Sequence, residues 1–533
     1  MKRTLAPLAV IALLCLSLLL SPPVRSVPRP VSQPLVQRGQ DAVFSLRGAL
    51  LGSEIFTNFV DGYSMKIPAG MTADMGDSAV RAVLESKDLR IEIYKQSFGE
   101  PQGFTKEEYL SYSNSGITRE AGYEIRSEEN LIWLDKSAEV TLWSRPPLLH
   151  MENDRRHYAA VDFTFPEDAA VFTVLLKSAK PLTDAKGSID AWMRWAGDIR
   201  LVDGAAPPDA APRGDQALAP GRDGETELFY ETCFLSGGPP LWGLFQPEAP
   251  LDFEALYALE ADLGYRFPLL LYYTGIIEGA DAHPRLAQAL RAAGAADRIL
   301  ELTLQTYSPE DGAGNIVYDV LNGKYDAFLR HYAETVAAAR HPVLFRPGNE
   351  MNGDWCAYSA LYTARDAEVY KAFYRYIYEI FREAGADNVL WIWNPNSRSF
   401  PDFKWNDALC YYPGDEYVDI VGMTAYNTGT YYESERWESF GSLYGQLYEN
   451  YAATFRQPLM ITEFASSSVG GDKAAWARDM FKTINGFERI RAAVWWNSRD
   501  LDADGNVARP YCLNETEEVT EVFRDNLGAG AAY

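Results

Sequence analysis

Two glutamates carry the clearest chemical promise in this chain. Glu350 closes the apolar run Val343-Leu-Phe-Arg-Pro-Gly-Asn-Glu350, and Glu463 closes Pro458-Leu-Met-Ile-Thr-Glu463. Carboxyls delivered to one rim by two separate strands can work as a pair. One protonates the leaving oxygen of a glycosidic bond while the other attacks the sugar or activates water. Such a pair needs one member protonated and the other ionised. Arg346, four residues before Glu350, supplies a cation that favours the charged form of a neighbouring carboxyl. Tyr426 can donate a hydrogen bond to the same carboxylate, Asn349 can bind a sugar 2-hydroxyl, and Trp495 can lie under the sugar ring. Taken singly, each has a plainer reading. A strand-end Glu is commonly a loop residue or helix cap, Arg346 a structural ion pair, and Trp393, Trp495 and Trp496 core residues. Only their convergence on one rim favours chemistry.

The elements needed to build that rim are legible after residue 225. Strand-like runs occur at Leu241–Phe245, Leu269–Tyr273, Ile299–Leu304, Val343–Phe345, Val389–Trp393, Ile420–Ala425, Leu459–Thr462 and Ala492–Trp496. Helical stretches such as Leu286–Ala293, Tyr325–Ala339, Ala367–Ala384 and Lys473–Ile484 fill most of the gaps. Eight strands with helical crossovers predict an α/β chain whose catalytic domain, 225–533, is a (β/α)₈ TIM barrel. A doubly wound nucleotide-binding sheet would carry a Gly-rich turn after its first strand, and none is present. In a barrel the chemistry gathers at the C-terminal strand ends. Those ends read Arg346, Asn349 and Glu350, then Trp393, Asn394 and Asn396, Tyr426 and Asn427, Glu463, and finally Trp495, Trp496 and Asn497.

Ahead of the barrel, 203–224 is rich in Pro, Ala and Gly and predicts a linker. Residues 40–202 predict a smaller α+β domain, with strands at Tyr63–Ile67, Leu89–Tyr94, Glu139–Trp143, Ala159–Phe165 and Val171–Leu176. Helices are expected near 105–113 and 183–197. No catalytic constellation appears there. A length of 533 residues, 47% of them hydrophobic, suits two domains with sizeable cores. The net charge of -25 argues against nucleic acid or an anionic membrane as partner and suits a neutral substrate. Thirteen Trp and thirty-two Tyr leave rings to spare for sugar stacking beyond what a core uses.

Met1-Lys-Arg followed by the apolar stretch Leu5–Leu20 predicts an export signal over 1–26, with an uncleaved anchor as the alternative. Export permits disulfides among Cys233, Cys356, Cys410 and Cys512, whose pairing spacing does not decide; buried thiols are the alternative. Asp500-Leu-Asp502-Ala-Asp504-Gly505 copies the start of a calcium loop but has Tyr511 where such loops place a bidentate Glu, so a turn is expected. His283, His331 and His341 lack metal-ligand spacing. The expectation is a secreted monomer working without cofactor or metal.

The rim also carries a resemblance. Phe345-Arg-Pro-Gly-Asn-Glu-Met-Asn-Gly-Asp-Trp355 resembles the fourth-strand motif of family 26 glycoside hydrolases, retaining barrel enzymes that include β-mannanases. Gly422-Met-Thr-Ala-Tyr426-Asn427, Ile461-Thr-Glu463-Phe-Ala and Val494-Trp-Trp-Asn497 resemble that family's sixth, seventh and eighth strands. The resemblance spans roughly 230–525. It implies Glu350 as acid/base, Glu463 as nucleophile, Arg346 beside the site, Tyr426 in contact with the nucleophile and Trp355 stacking on the aglycone side. Family members usually carry His before the acid/base, where this chain has Asn349. That step touches contacts to the sugar 2-hydroxyl, so β-mannan is the first expectation, with mixed-linkage β-glucan and β-1,3-xylan as competitors. The rival from another class is a non-catalytic glycan-binding protein.

Overall fold

A computed structural model describes residues 37–527 apart from 41–42, 50–51, 99–103, 120–123, 134–135, 166–168, 184–194, 205–220, 277–283 and 307–313. The expected export signal, most of the linker and most of the helix expected over 183–197 lie outside the described residues.

Eight parallel strands close into a barrel in chain order. They are β1 (Leu241–Phe245), β2 (Leu269–Gly275), β3 (Ile299–Gln305), β4 (Val343–Pro347), β5 (Val389–Trp393), β6 (Ile420–Asn427), β7 (Leu459–Ser466) and β8 (Ile490–Trp496). Each coincides with one of the eight predicted runs. The runs read as apolar without alternation because parallel barrel strands are buried on both faces. Residues such as Leu344, Leu390, Ile392 and Val494 point inward and form a floor. A helical segment, Gly224–Tyr230 continuing as Glu231–Leu235, closes that floor from below with Tyr230 and Phe234.

The helical layer consists of α1 (Glu254–Leu263), α2 (Pro284–Ala295), α3 (Asp326–Ala339), α4 (Ala367–Glu383), α5 (Phe440–Thr454), α6 (Lys473–Ile484) and α7 (Glu517–Leu527), with shorter turns between them. In α4 the apolar residues Val369, Tyr370, Phe373, Tyr374, Ile377 and Phe381 recur at helical spacing and are buried against the strands. The Asp366 side chain caps α4 by accepting from the Glu368 amide.

The N-terminal part is built mainly from two antiparallel sheets. One has five strands; the other has seven, in the order 72–74, 82–85, 89–97, 170–178, 157–164, 136–144 and 124–133. They enclose a core around Phe56, Ile67, Phe163 and Phe172. The strand 170–178 is buried along its whole length. Its Phe172, Val174 and Leu176 face that core, whereas Val171 and Leu175 are continuous with the barrel's apolar cluster. The first helix falls at Lys106–Arg119, as expected. The sheets hold more strands than the sequence pattern announces, because segments such as Gln37–Gln40 and Thr72–Asp74 are short and polar.

Candidate active site

Parity decides which rim residues reach the mouth of the barrel. On β4, Leu344 and Arg346 share the inward face while Val343 and Phe345 pack against the helices. Arg346 is therefore threaded through the barrel interior, fully buried. Its Nη2 donates to Glu463 Oε2 at 2.9 Å, its Nη1 to Asn394 Oδ1 at 2.8 Å and its Nε to Thr303 Oγ1 at 2.9 Å. Beneath it lies Glu301 of β3, 3.3 Å from Nε, with neither carboxyl oxygen hydrogen-bonded. Burial, helped by the charge on Glu463 and opposed by Arg346, pushes the Glu301 carboxyl up to about 8. That shift favours the neutral form of Glu301 and leaves more of the guanidinium charge to Glu463.

Glu463 reaches the cleft through an irregularity. Ile461 and Phe464 both pack outward. The ladder to β6 pairs Met423 with Ile461 and Thr424 with Glu463, so Thr462 is an extra residue, and the ladder to β8 shifts over the same stretch. This β-bulge turns Glu463 inward where strict alternation would send it toward the helices. Its Oε2 also accepts from the hydroxyl of Tyr273, at the end of β2.

Glu350 is not on a strand but three residues beyond β4, with φ +53°, the left-handed region that a side chain rarely occupies. Gly348, at φ +63°, makes the turn; a Cβ there would lie 2.9 Å from the Tyr370 ring. The Glu350 amide donates to Asn394 O at 2.7 Å, pinning the turn to the end of β5. Its carboxyl accepts from Asn396 Nδ2 at 2.6 Å and Trp355 Nε1 at 3.3 Å. Burial and then the negative charge of Glu463 push the Glu350 carboxyl up to about 7, against the donors from Asn396 and Trp355 and the charge of Arg346.

Both carboxyls line one cleft of about 500 Å³, together with Tyr273, Asn349, Trp355, Asn396, Tyr426 and Trp496. Asn349 is buried in its wall, its carbonyl and Oδ1 accepting from the Tyr358 hydroxyl at 2.6 and 3.3 Å. Trp355 is 37% exposed beside Phe400, ring centroids 5.4 Å apart, as a stacking platform requires. Trp496 stacks on Phe245 at 5.2 Å and 15°.

Three expectations are corrected. Trp393 is not in the cleft: on β5, Ile392 takes the inward face, and Trp393 is fully buried among Tyr412, Tyr451 and Phe455 on the outside of the barrel. Trp495 likewise packs outward on Phe464 and Phe523, with Nε1 donating to Tyr511 O at 2.8 Å, so it offers no face to a sugar. Adjacent strand residues cannot share a face, and of Trp495 and Trp496 only the latter reaches the cleft. Tyr426 lines the cleft, but the hydroxyl on Glu463 is that of Tyr273; Tyr426 packs on Trp496 and Tyr511 instead. Tyr273 was findable from sequence, because Leu269 and Leu271 fix its parity. Cys356, Cys410 and Cys512 stand as thiols. The Asp500–Gly505 segment is a hairpin turn whose Asp502 accepts from the Asp504 and Asn506 amides.

A closed (β/α)₈ barrel with a two-carboxyl cleft, one carboxyl ion-paired and the other neutral-bonded, is the class that fold and site define. Residues 307–489 match the family model of glycosyl hydrolase family 26, a stretch that takes in β4 to β7. Endoglucanase H of Acetivibrio thermocellus is 33% identical over 40% of this chain and 23% of its own length. A mannan endo-1,4-beta-mannosidase of Bacillus subtilis is 32% identical over 25% of this chain and 41% of its own. The chain thus spans less than half the length of these curated relatives. Among solved structures, Bacillus subtilis mannanase man26 is similar at 21% identity and TM-score 0.42, covering 58% of this chain and 92% of that one.

Proposed function

We propose that this chain is a retaining, endo-acting β-glycan hydrolase with β-1,4-mannan as its first substrate. The observation that carries the reading is the unequal environment of two carboxyls in one cleft. Glu463, against Arg346 and Tyr273, is equipped to attack. Glu350, raised to about 7 and held by uncharged donors, is equipped to keep a proton at neutral pH.

In the first step a Glu463 oxygen bonds to the anomeric carbon as the glycosidic bond breaks. The Glu350 proton passes to the departing oxygen. In the second step Glu350, now a base, takes a proton from water whose oxygen displaces Glu463, restoring both groups and the original configuration. Asn349 and Trp496 line the cleft beside the cleaved sugar, and Trp355 stands by Glu350 on the leaving-group side. The same chemistry serves a second substrate, β-glucan. The match to an endoglucanase supports it, as does Asn349 in the place where family members usually have His.

Reducing-sugar release from galactomannan, mixed-linkage β-glucan and xylan, with product configuration followed by proton NMR, tests the proposal. Mannan cleavage with the β-product appearing first is expected. Initial appearance of the α-product, or no release from any glycan, rejects it. Export belongs to the same proposal, and sequencing the mature N-terminus checks it, with cleavage near residue 26 expected.

A further inference from the structure

The carboxyl at position 350 is held by loops, and those loops are fastened to the N-terminal sheets. Asn396, the donor to Glu350, lies between β5 and β6. It is tied to the loop after β4 by Asn352, whose Oδ1 accepts from the Asn396 amide at 2.9 Å and whose Nδ2 donates to Asn396 O at 3.0 Å. Asn406, fully buried, donates to Asn352 O at 2.8 Å. The residues just before Asn406 reach across to the N-terminal part. The Lys404 amide donates to Gln96 Oε1 at 2.9 Å and Trp405 Nε1 to Ser113 Oγ at 3.0 Å, while the Phe403 ring meets Tyr109 edge-on at 4.7 Å.

The far end of the loop after β4 is fastened as well. Asp366 accepts from Lys177 Nζ at 2.7 Å and from the Tyr158 hydroxyl at 2.8 Å, and Lys177 also pairs with Glu92 at 2.9 Å. These three charged side chains are each 1% exposed. A buried ionic group of this kind is costly unless every member is satisfied, and once satisfied it fixes orientation. Glu463, by contrast, takes its partners from inside the ring.

We propose that the N-terminal domain is a positioning element for the reaction: it clamps the two loops that present Glu350 and so sets the aim of that carboxyl at the leaving oxygen. The inference rests on Glu350 being the acid/base described above. It gives the otherwise unassigned first part of the chain a task at the cleft without contact with substrate.

Two variants of the full-length protein test it, alone and combined: Trp405→Phe removes the bond to Ser113, and Tyr158→Phe removes the bond to Asp366 together with the one accepted from Arg145 Nε. Folding is checked by circular dichroism. Rates are compared on a β-1,4-mannan oligosaccharide, whose leaving group must be protonated, and on 2,4-dinitrophenyl β-mannobioside, whose leaving group needs no proton. In the double variant kcat/KM on the oligosaccharide should fall about tenfold or more, against less than about twofold on the aryl substrate, since small misplacements of a reacting group are costly. The alkaline limb of the pH profile should also move. Equal proportional losses on both substrates overturn the clamp, as does a lowered Tm with rates and pH profile unchanged. Glu350→Ala is run beside them; the parent rate on the oligosaccharide in that variant overturns the acid/base reading itself, and the clamp with it.

Discussion

Glu463 and Glu350 share one cleft but are held by different parts of the molecule. The partners of Glu463 come from β2 and β4, so closing the ring is enough to place them. The partners of Glu350 come from loops outside the ring, and its own backbone adopts a rarely used conformation to meet them. One environment is charged and built into the barrel. The other is neutral and assembled from connections that need bracing. The contrast suits a nucleophile that must stay in one place, set against a group that must give and regain a proton.

Four measurements break or sharpen that contrast. The largest effect is expected from Glu463→Ala, which should lower steady-state turnover at least about 10⁴-fold, with azide restoring part of it on an activated aryl substrate. Glu350→Ala should lose about 10²- to 10⁴-fold on an unactivated oligosaccharide. It should form the glycosyl-enzyme from a dinitrophenyl glycoside at close to the parent rate; an equal loss on both substrates would erase the distinction between the two carboxyls.

The pH dependence comes next. Glu350 must be protonated to act, and its value is raised to about 7. The acid form therefore persists to neutral pH, and kcat/KM should drop about tenfold per unit above it. An alkaline limb near pH 5 contradicts the raised value.

The smallest catalytic effect belongs to the tryptophans. Trp393→Ala should cost about 3–5 kcal/mol of stability, read from urea melts, with KM unchanged. Trp496→Ala should raise KM severalfold and cost less stability than Trp393→Ala, since part of its ring lines the cleft. A reversed pattern places the wrong ring in the cleft.

These two rings also show where sequence reading stops. All eight barrel strands are visible as apolar runs because burial on both faces removes polar residues from them. The same burial hides which face each residue takes, and so Trp393 and Trp495 look equivalent to Trp496 until the neighbours fix the parity. Glu350 and Glu463 are legible from their place at strand ends. Tyr273 and Asn396 can be placed by strand parity and strand end, but which glutamate each meets is settled only by folding, across 190 and 46 residues. The N-terminal sheets are the least legible, since several of their strands are short and polar.

The supernumerary Thr462 makes the aim of the nucleophile depend on where β7 slips its register as well as on which residues it contains. Excision of Thr462 would leave Ile461 outward, Glu463 inward and Phe464 outward in plain two-residue rhythm, so the carboxylate would keep its face. Flattening the bulge with every residue kept would instead carry the carboxylate round to the side where Phe464 meets Trp495, silencing the protein with every functional side chain still encoded.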